Sequence, residues 1–168
     1  IVINAEESFI SIKDNGTGIP ADTAAATLMN VGSSKKRSAN NRGFRGIGRL
    51  GGMSYCDTLV FTTSAENESV KTIISFDCKK LRRLLVPGEY EEMSLSAVLE
   101  EITSIVTLPE KLEKHYLCVE MKEVNGFSDL LDIDTARSYI AQVAPLPYQS
   151  RHFIYTSQLK EFLSKNGY

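Results

Sequence analysis

Two glycine clusters bracket a cationic segment near the start of this chain, and that arrangement restricts the fold more than any other feature. The first is Asp14-Asn15-Gly16-Thr17-Gly18-Ile19-Pro20, and the second is Gly43-Phe44-Arg45-Gly46-Ile47-Gly48-Arg49-Leu50-Gly51-Gly52. Glycines let consecutive N–H groups point the same way and let an oxygen approach the backbone with no Cβ in its path. A helix beginning near Gly48 adds its N-terminal amides and dipole as a second attraction for an anion. A phosphate chain suits such a cradle.

The charge pattern points the same way. Lys35, Lys36, Arg37, Arg42, Arg45 and Arg49 fall within fifteen residues, no acid lies between Asp22 and Asp57, and yet the whole chain is formally −2. The positive charge is local, which fits a small polyanion and argues against a long nucleic acid. A solvated basic loop is the simpler reading of the same run. The sequence GxxxxGK[ST] is absent, which excludes a P-loop. The spacing GxxGxG reverses the dinucleotide fingerprint, and the preceding SSKKRSANNR is too polar for the buried strand of a Rossmann turn.

The first cluster supplies a base-reading group. Ile10 and Ile12 alternate with Ser11 and Lys13, which predicts a half-buried strand running into Asp14. A carboxylate at a strand end, followed by a tight Asn-Gly turn, can accept a hydrogen bond from an exocyclic amine such as adenine N6. Alone, Asp-Asn-Gly is also an ordinary turn signal.

Taken together, the order of strand, DNGTGIP, helix, SSK, polar lid, GFRGIGRLGG, helix and strand resembles the GHKL ATPases, the superfamily of gyrase B, the heat-shock-ninety chaperones, histidine kinases and MutL-type proteins. Gly32-Ser33-Ser34-Lys35 and Gly43-Phe44-Arg45-Gly46 resemble a MutL-type lid, while residues 45–63 are closer to the heat-shock-ninety pattern. The resemblance covers residues 9–64 and weakens afterwards. It implies that Asp14 and Gly16 belong to the adenine-side turn, with Asp14 binding the amine, Gly18 supporting the turn and Ile19 packing on the base. It places Asn30 near the sugar and phosphates, makes Lys35, Arg42 and Arg45 lid candidates, adds Ser34 of the Gly32-Ser33-Ser34-Lys35 motif to the nucleotide-binding set, and gives the backbone amides of Gly46, Ile47 and Gly48 to the phosphates. The implied ligands are ATP or ADP, with Mg²⁺ in the intact parent.

Two departures qualify the resemblance. In the family, the general-base Glu and the magnesium-binding Asn lie on a helix upstream of the DNGTG strand, whereas residues 1–13 predict a hairpin, Ile1–Ile3 against Phe9–Lys13. No catalytic residue and no metal ligand is therefore expected within this chain, and Glu6 and Glu7 read as solvated turn residues. The intact parent is expected to be an ATPase and this fragment inactive. The second departure is at the last strand, Tyr116–Val124, where the Gly-Thr that often precedes it is replaced by Lys114-His115. His115 is either a surface residue or a polar neighbour of the pocket.

The remainder of the chain sets outer bounds. With 168 residues, 42% of them hydrophobic, it can build one sizeable core. No apolar run is long enough to span a bilayer. Cys56, Cys78 and Cys118 are odd in number and lack CxxC spacing, so they read as reduced, cytoplasmic packing thiols. Leu59–Thr63 and Val70–Phe76 predict paired strands, and the stripe Met93, Leu95, Val98, Leu99, Ile102, Ile105 predicts a helix. Asp134–Val143 is helix-compatible, the prolines of Ala144–Pro147 mark a boundary, His152–Thr156 predicts a strand and Gln158–Ser164 a short helix.

The expected fold is an α/β two-layer sandwich of the Bergerat type, with helices on one face of a mixed, largely antiparallel sheet. Residues 1–143 are expected to form the ATP-binding domain, and residues 144–168 a linker and the start of a transducer or middle domain. The leading expectation is a heat-shock-ninety-like ATPase or chaperone of the cytoplasm, whose lid at residues 32–45 is coupled to that downstream domain, with a client protein or a homodimer as partner. The alternative is a non-hydrolysing nucleotide-responsive or interaction module. A histidine kinase fits less well, because no phosphoacceptor His segment is present.

Overall fold

A computed structural model of the chain describes residues 1–29, 48–86, 93–125, 128–143 and 155–165. They fall into two compact units, residues 1–132 and 133–168. The expected boundary after Val143 differs from this division, which falls before the helix Ile133–Val143.

In the first unit, β1 (Val2–Asn4), β2 (Phe9–Asp14), β3 (Cys56–Ser64), β4 (Val70–Asp77), β5 (Thr103–Pro109) and β6 (Tyr116–Val124) form one sheet in the order β1-β2-β6-β3-β4-β5. The α/β sandwich is as expected, and each strand pairing among the described residues is antiparallel. The crossover inserts the last strand, β6, between β2 and β3. That insertion brings the end of β2, the start of β6 and the end of β3 together at one edge of the core.

Strand alternation explains which face is covered. Ile10 stands opposite Met121, Met121 opposite Leu59, and Leu59 opposite Phe76; the next row of the same face is Ile12, Val119, Phe61 and Ile74. Ile12 apart, these positions meet the apolar side chains of α1 (Ala21–Met29), the 3₁₀ helix Gly48–Ser54, α2 (Cys78–Leu84), α3 (Leu95–Ile102) and α4 (Ser128–Leu131) in one core. Phe61 and Phe76 meet edge to face, with centroids 5.9 Å apart and planes at 87°. Burying a side chain of this size stabilises the fold by about 1.5–3 kcal/mol.

Local chemistry sets the helix ends. Asp77 caps α2 by accepting from the Lys80 amide at 2.7 Å, and Ser94 caps α3 through Ala97 at 3.2 Å. Arg82 pairs with Asp57 and donates to the Cys56 carbonyl at 2.9 Å, which fastens α2 to the start of β3. The three cysteines are free thiols. The neighbouring Cys78 thiol, and then burial, push the Cys56 thiol up.

One expectation is corrected. The apolar stripe 93–105 is not one helix: α3 stops at Ile102, and Thr103 to Pro109 form β5 against β4. The β-branched run Thr103, Ile105, Val106 and Thr107 favours an extended chain once a partner strand is available. The helix expected to begin near Gly48 does begin there, as the 3₁₀ helix Gly48–Ser54.

In the second unit, α5 (Ile133–Val143) and α6 (Thr156–Lys165) are described. Thr156, expected to end a strand, begins α6 instead. Residues 152–154 of that expected strand lie outside the described residues. No described helix is long and apolar enough to cross a membrane.

Candidate functional site

Asp14 is the last residue of β2 and sits opposite Leu117 of β6, which in turn sits opposite Thr63 of β3. By alternation it shares the helix-side face with Ile10 and Ile12. Ile10 is 8% exposed, whereas Ile12 is 49% exposed. The core therefore closes over the first isoleucine and opens before the carboxylate. An apolar patch ending in an acceptor is left beside the strand end.

The turn after Asp14 is held from three sides. The Gly16 amide donates to Asp14 Oδ1 at 2.8 Å, an Asx turn that fixes the carboxylate and leaves Oδ2 without a protein partner among the described residues. His115 Nδ1 lies 2.7 Å from the Gly16 carbonyl. A carbonyl can only accept, so Nδ1 carries the proton in this contact. Further on, Glu66 N–H donates to the Thr17 carbonyl at 3.0 Å.

Gly18 shows why this turn requires glycine. Its φ is +71°, and a Cβ there would lie 1.9 Å from the Ser64 carbonyl oxygen. No side chain fits that gap. The close approach lets the next residue bond to the sheet: Ile19 N–H donates to Thr63 Oγ1 at 2.8 Å, and the Thr63 hydroxyl reaches the Tyr116 carbonyl at 3.2 Å. Thr63 is buried, at 1% exposure, and ties the turn to both β3 and β6. Glu68 then caps α1 by accepting from the Ala21 amide at 3.0 Å.

Beside these groups stands a polar cluster on the opposite sheet face. Lys13 Nζ lies 4.0 Å from the centre of the Tyr116 ring, and the Tyr116 hydroxyl donates to Glu110 at 3.0 Å. Burial, and then the Glu110 carboxylate, push the Tyr116 phenol up to about 12. The Lys111 amide and the Tyr116 hydroxyl hold Glu110 below the usual carboxylate range.

At the second glycine cluster, a Cβ on Gly48 or Gly51 would meet nothing within 4 Å. Gly52 instead lies against the sheet, where a Cβ would come 3.1 Å from Leu59 Cδ1. Of the residues expected at the site, Asp14, Gly16, Gly18 and Ile19 come together at the end of β2, and Gly48 opens the 3₁₀ helix. Asn30, Ser34, Lys35, Arg45, Gly46 and Ile47 lie outside the described residues. Thr63, Glu68 and Ser64 carry the turn and were missed by sequence reasoning; a threonine late in a buried strand gives no local sign that its hydroxyl serves a loop 44 residues away.

Glu6 and Glu7 occupy the hairpin turn before β2. Both their amides point at Asn4 Oδ1, and Glu7 accepts from Asn4 Nδ2 at 2.9 Å. At about 3.4 Å per strand residue, they lie roughly 17 Å or more along β2 from Asp14. No group of metal-ligating side chains occurs among the described residues.

Residues 1–103 match a family profile described as "Histidine kinase-, DNA gyrase B-, and HSP90-like ATPase". Among solved structures, the fold is similar to the ATPase region of Saccharomyces cerevisiae topoisomerase II, with a TM-score of 0.50 at 17% identity, over 72% of this chain and 30% of that one. At that identity the likeness concerns the fold alone. No curated protein sequence matches the chain.

Proposed function

Because this chain belongs to the histidine kinase-, DNA gyrase B- and HSP90-like ATPase family, and is thus a GHKL-type ATP-binding domain, we propose that the turn from Asp14 to Ile19 is its adenine subsite. The observation that carries the proposal is the Asp14 carboxylate at the end of β2: one oxygen is fixed by the Gly16 amide, the other has no protein partner among the described residues, and Ile12 stands exposed on the same face. Asp14 Oδ2 accepts from the exocyclic amine, and Ile12 and Ile19 give the ring apolar contact. A bound nucleotide would supply the phosphoanhydride whose hydrolysis the family catalyses. The residues fit the base end of that ligand. Thr63 and His115 act one step back, holding the turn so that Asp14 need not reorganise on binding.

The phosphate end of the proposal rests on the sequence. Asn30, Ser34, Lys35, Arg45, Gly46, Ile47 and Gly48 would surround the phosphates, with Mg²⁺ in the intact parent and a lid at residues 32–45 coupled to a domain that begins after residue 143. The same holds for the narrower reading of the parent as a heat-shock-ninety-like chaperone of the cytoplasm, which draws on the pattern of residues 45–63. The likeness in fold is to a topoisomerase II ATPase region, so that subtype stands on the motif alone. The chain spans 30% of that solved chain's length, and a client or homodimer of the whole protein is likewise a proposal.

One observation favours binding without turnover by this chain. Glu6 and Glu7 are tied into a hairpin turn at the far end of β2, where neither can orient a water at a γ-phosphate. The test of the adenine subsite is a thermal unfolding series with ADP, since a ligand that binds only the folded state raises its stability by RT ln(1 + [L]/Kd). ADP should raise the midpoint for the chain and not for Asp14→Ala. An equal rise in both would remove Asp14 from the site.

A further inference from the structure

The two edges of the sheet are finished differently. β1 has three residues, whereas β5 has seven, Thr103-Ser-Ile-Val-Thr-Leu-Pro109, with no charged side chain. Ile105, Val106 and Leu108 are 47%, 49% and 41% exposed. Natural sheets blunt long edges with charge, proline, bulges or a covering element, because unpaired N–H and C=O groups are a template for another strand. Apart from its final proline, β5 carries none of these among the described residues.

The hydrogen-bond phase of β5 shows which groups are free. Glu110 N–H donates to the Ser69 carbonyl at 2.9 Å, in the same register that sets Val70 opposite Pro109. Hydrogen-bonded and non-bonded pairs alternate along an antiparallel ladder. Ser104, Val106 and Leu108 therefore bond to β4, while Ile105, Thr107 and Pro109 turn their backbone groups outward. Pro109, which lacks an N–H, falls on an outward position, so its presence costs β4 nothing.

We propose that β5 pairs with β5 of a second copy of this chain, antiparallel about a two-fold axis at Val106, joining two six-stranded sheets edge to edge. An axis at Val106 sets Ile105 of each copy opposite Thr107 of the other, and these are the residues whose N–H and C=O groups face outward. Each of those two pairs exchanges two hydrogen bonds. On the remaining positions Val106 meets Val106, Ser104 meets Leu108 and Thr103 meets Pro109, whose missing N–H withholds one hydrogen bond, and no like charges oppose one another. An acidic or basic partner strand would find no complementary charge on β5. A contact of six or seven residues per copy falls well below the roughly 1,600 Å² of a standard interface, so the pairing is weak and concentration-dependent.

Sedimentation velocity over a concentration series tests the pairing. The unmodified chain should move from monomer towards dimer as concentration rises. Val106→Lys sets two ammonium groups opposite each other at a non-hydrogen-bonded pair, where Cα atoms are only about 4.5 Å apart and like charges are destabilising. It should remain monomeric at every concentration, and so should Val106→Glu. An equimolar mixture of the two should recover the dimer, because the axis places position 106 against itself. Unchanged circular dichroism and unfolding midpoints establish that both variants fold. A chain that stays monomeric throughout, a dimer indifferent to Val106→Lys, open-ended polymers, or a mixture that fails to dimerise would each overturn the proposal.

Discussion

Replacing Gly18 by alanine should be the most damaging single-methyl change in the described turn. Two costs add. Alanine in the left-handed region at φ +71° costs about 1–2 kcal/mol. Its Cβ would stand 1.9 Å from the Ser64 carbonyl oxygen, and Cβ atoms essentially never approach within 3.0 Å, so the turn and the end of β3 must part by about 1 Å. That displacement pulls on the Ile19–Thr63 and Glu66–Thr17 hydrogen bonds, which contribute about 0.5–1.5 kcal/mol each. The sum is about 2–5 kcal/mol, against a total stability of roughly 5–15 kcal/mol. For a domain of this size it should lower the unfolding midpoint by about 4–20 °C. Gly51→Ala is the control, because a Cβ there meets nothing within 4 Å. The assay is urea and thermal unfolding followed by circular dichroism. If Gly18→Ala stays within about 0.5 kcal/mol of the parent chain, the tolerance typical of surface positions, the close approach of the turn to β3 is not a feature of the folded protein.

Thr63→Val keeps the volume but leaves the Ile19 amide and the Tyr116 carbonyl without their partner, so it should cost about 1–3 kcal/mol in urea unfolding; Thr62→Val, outside this network, should cost less. The Tyr116 phenol is raised from its ordinary 10 to about 12 in the folded state, so its contribution to stability is complete below pH 10 and is lost as pH rises towards 12. Unfolding free energy should fall across that window, and Tyr116→Phe should flatten the fall; an equally steep loss in the variant would contradict the assignment.

The parts of this fold that are legible in the sequence are those fixed by short-range pattern. β6 spans Tyr116–Val124 as its alternation indicates, because Leu117, Val119 and Met121 pack on the helix-side core while Cys118, Glu120 and Lys122 alternate with them on the other face. The β1–β2 turn and the turn at Asp14–Gly18 are legible for the same reason, since Asn, Asp and Gly act on their own backbone. β5 is different. Ile102 ends a helix and Ile105 belongs to a strand, yet both fit one helical stripe; only pairing with β4 separates them. α2 is seven residues of mostly cationic sequence whose one signal, the Asp77 cap, is easily read as the end of a strand. At the site, Asp14 and Gly18 announce themselves, while Thr63 and His115 acquire meaning from contacts 44 and 99 residues distant in sequence.

Calorimetric titration of ADP and GDP into the chain and into Asp14→Ala shows most directly whether Asp14 reads the adenine amine. A carboxylate oxygen accepts from the adenine amine but repels the carbonyl that guanine presents at the same place. Losing one charge-assisted hydrogen bond costs about 1.5–3 kcal/mol, which is a tenfold to hundredfold loss of affinity. ADP should bind more tightly than GDP, and Asp14→Ala should remove most of the difference. Equal affinity for the two nucleotides in the unmodified chain, or ADP affinity unchanged by the substitution, would contradict that role of Asp14.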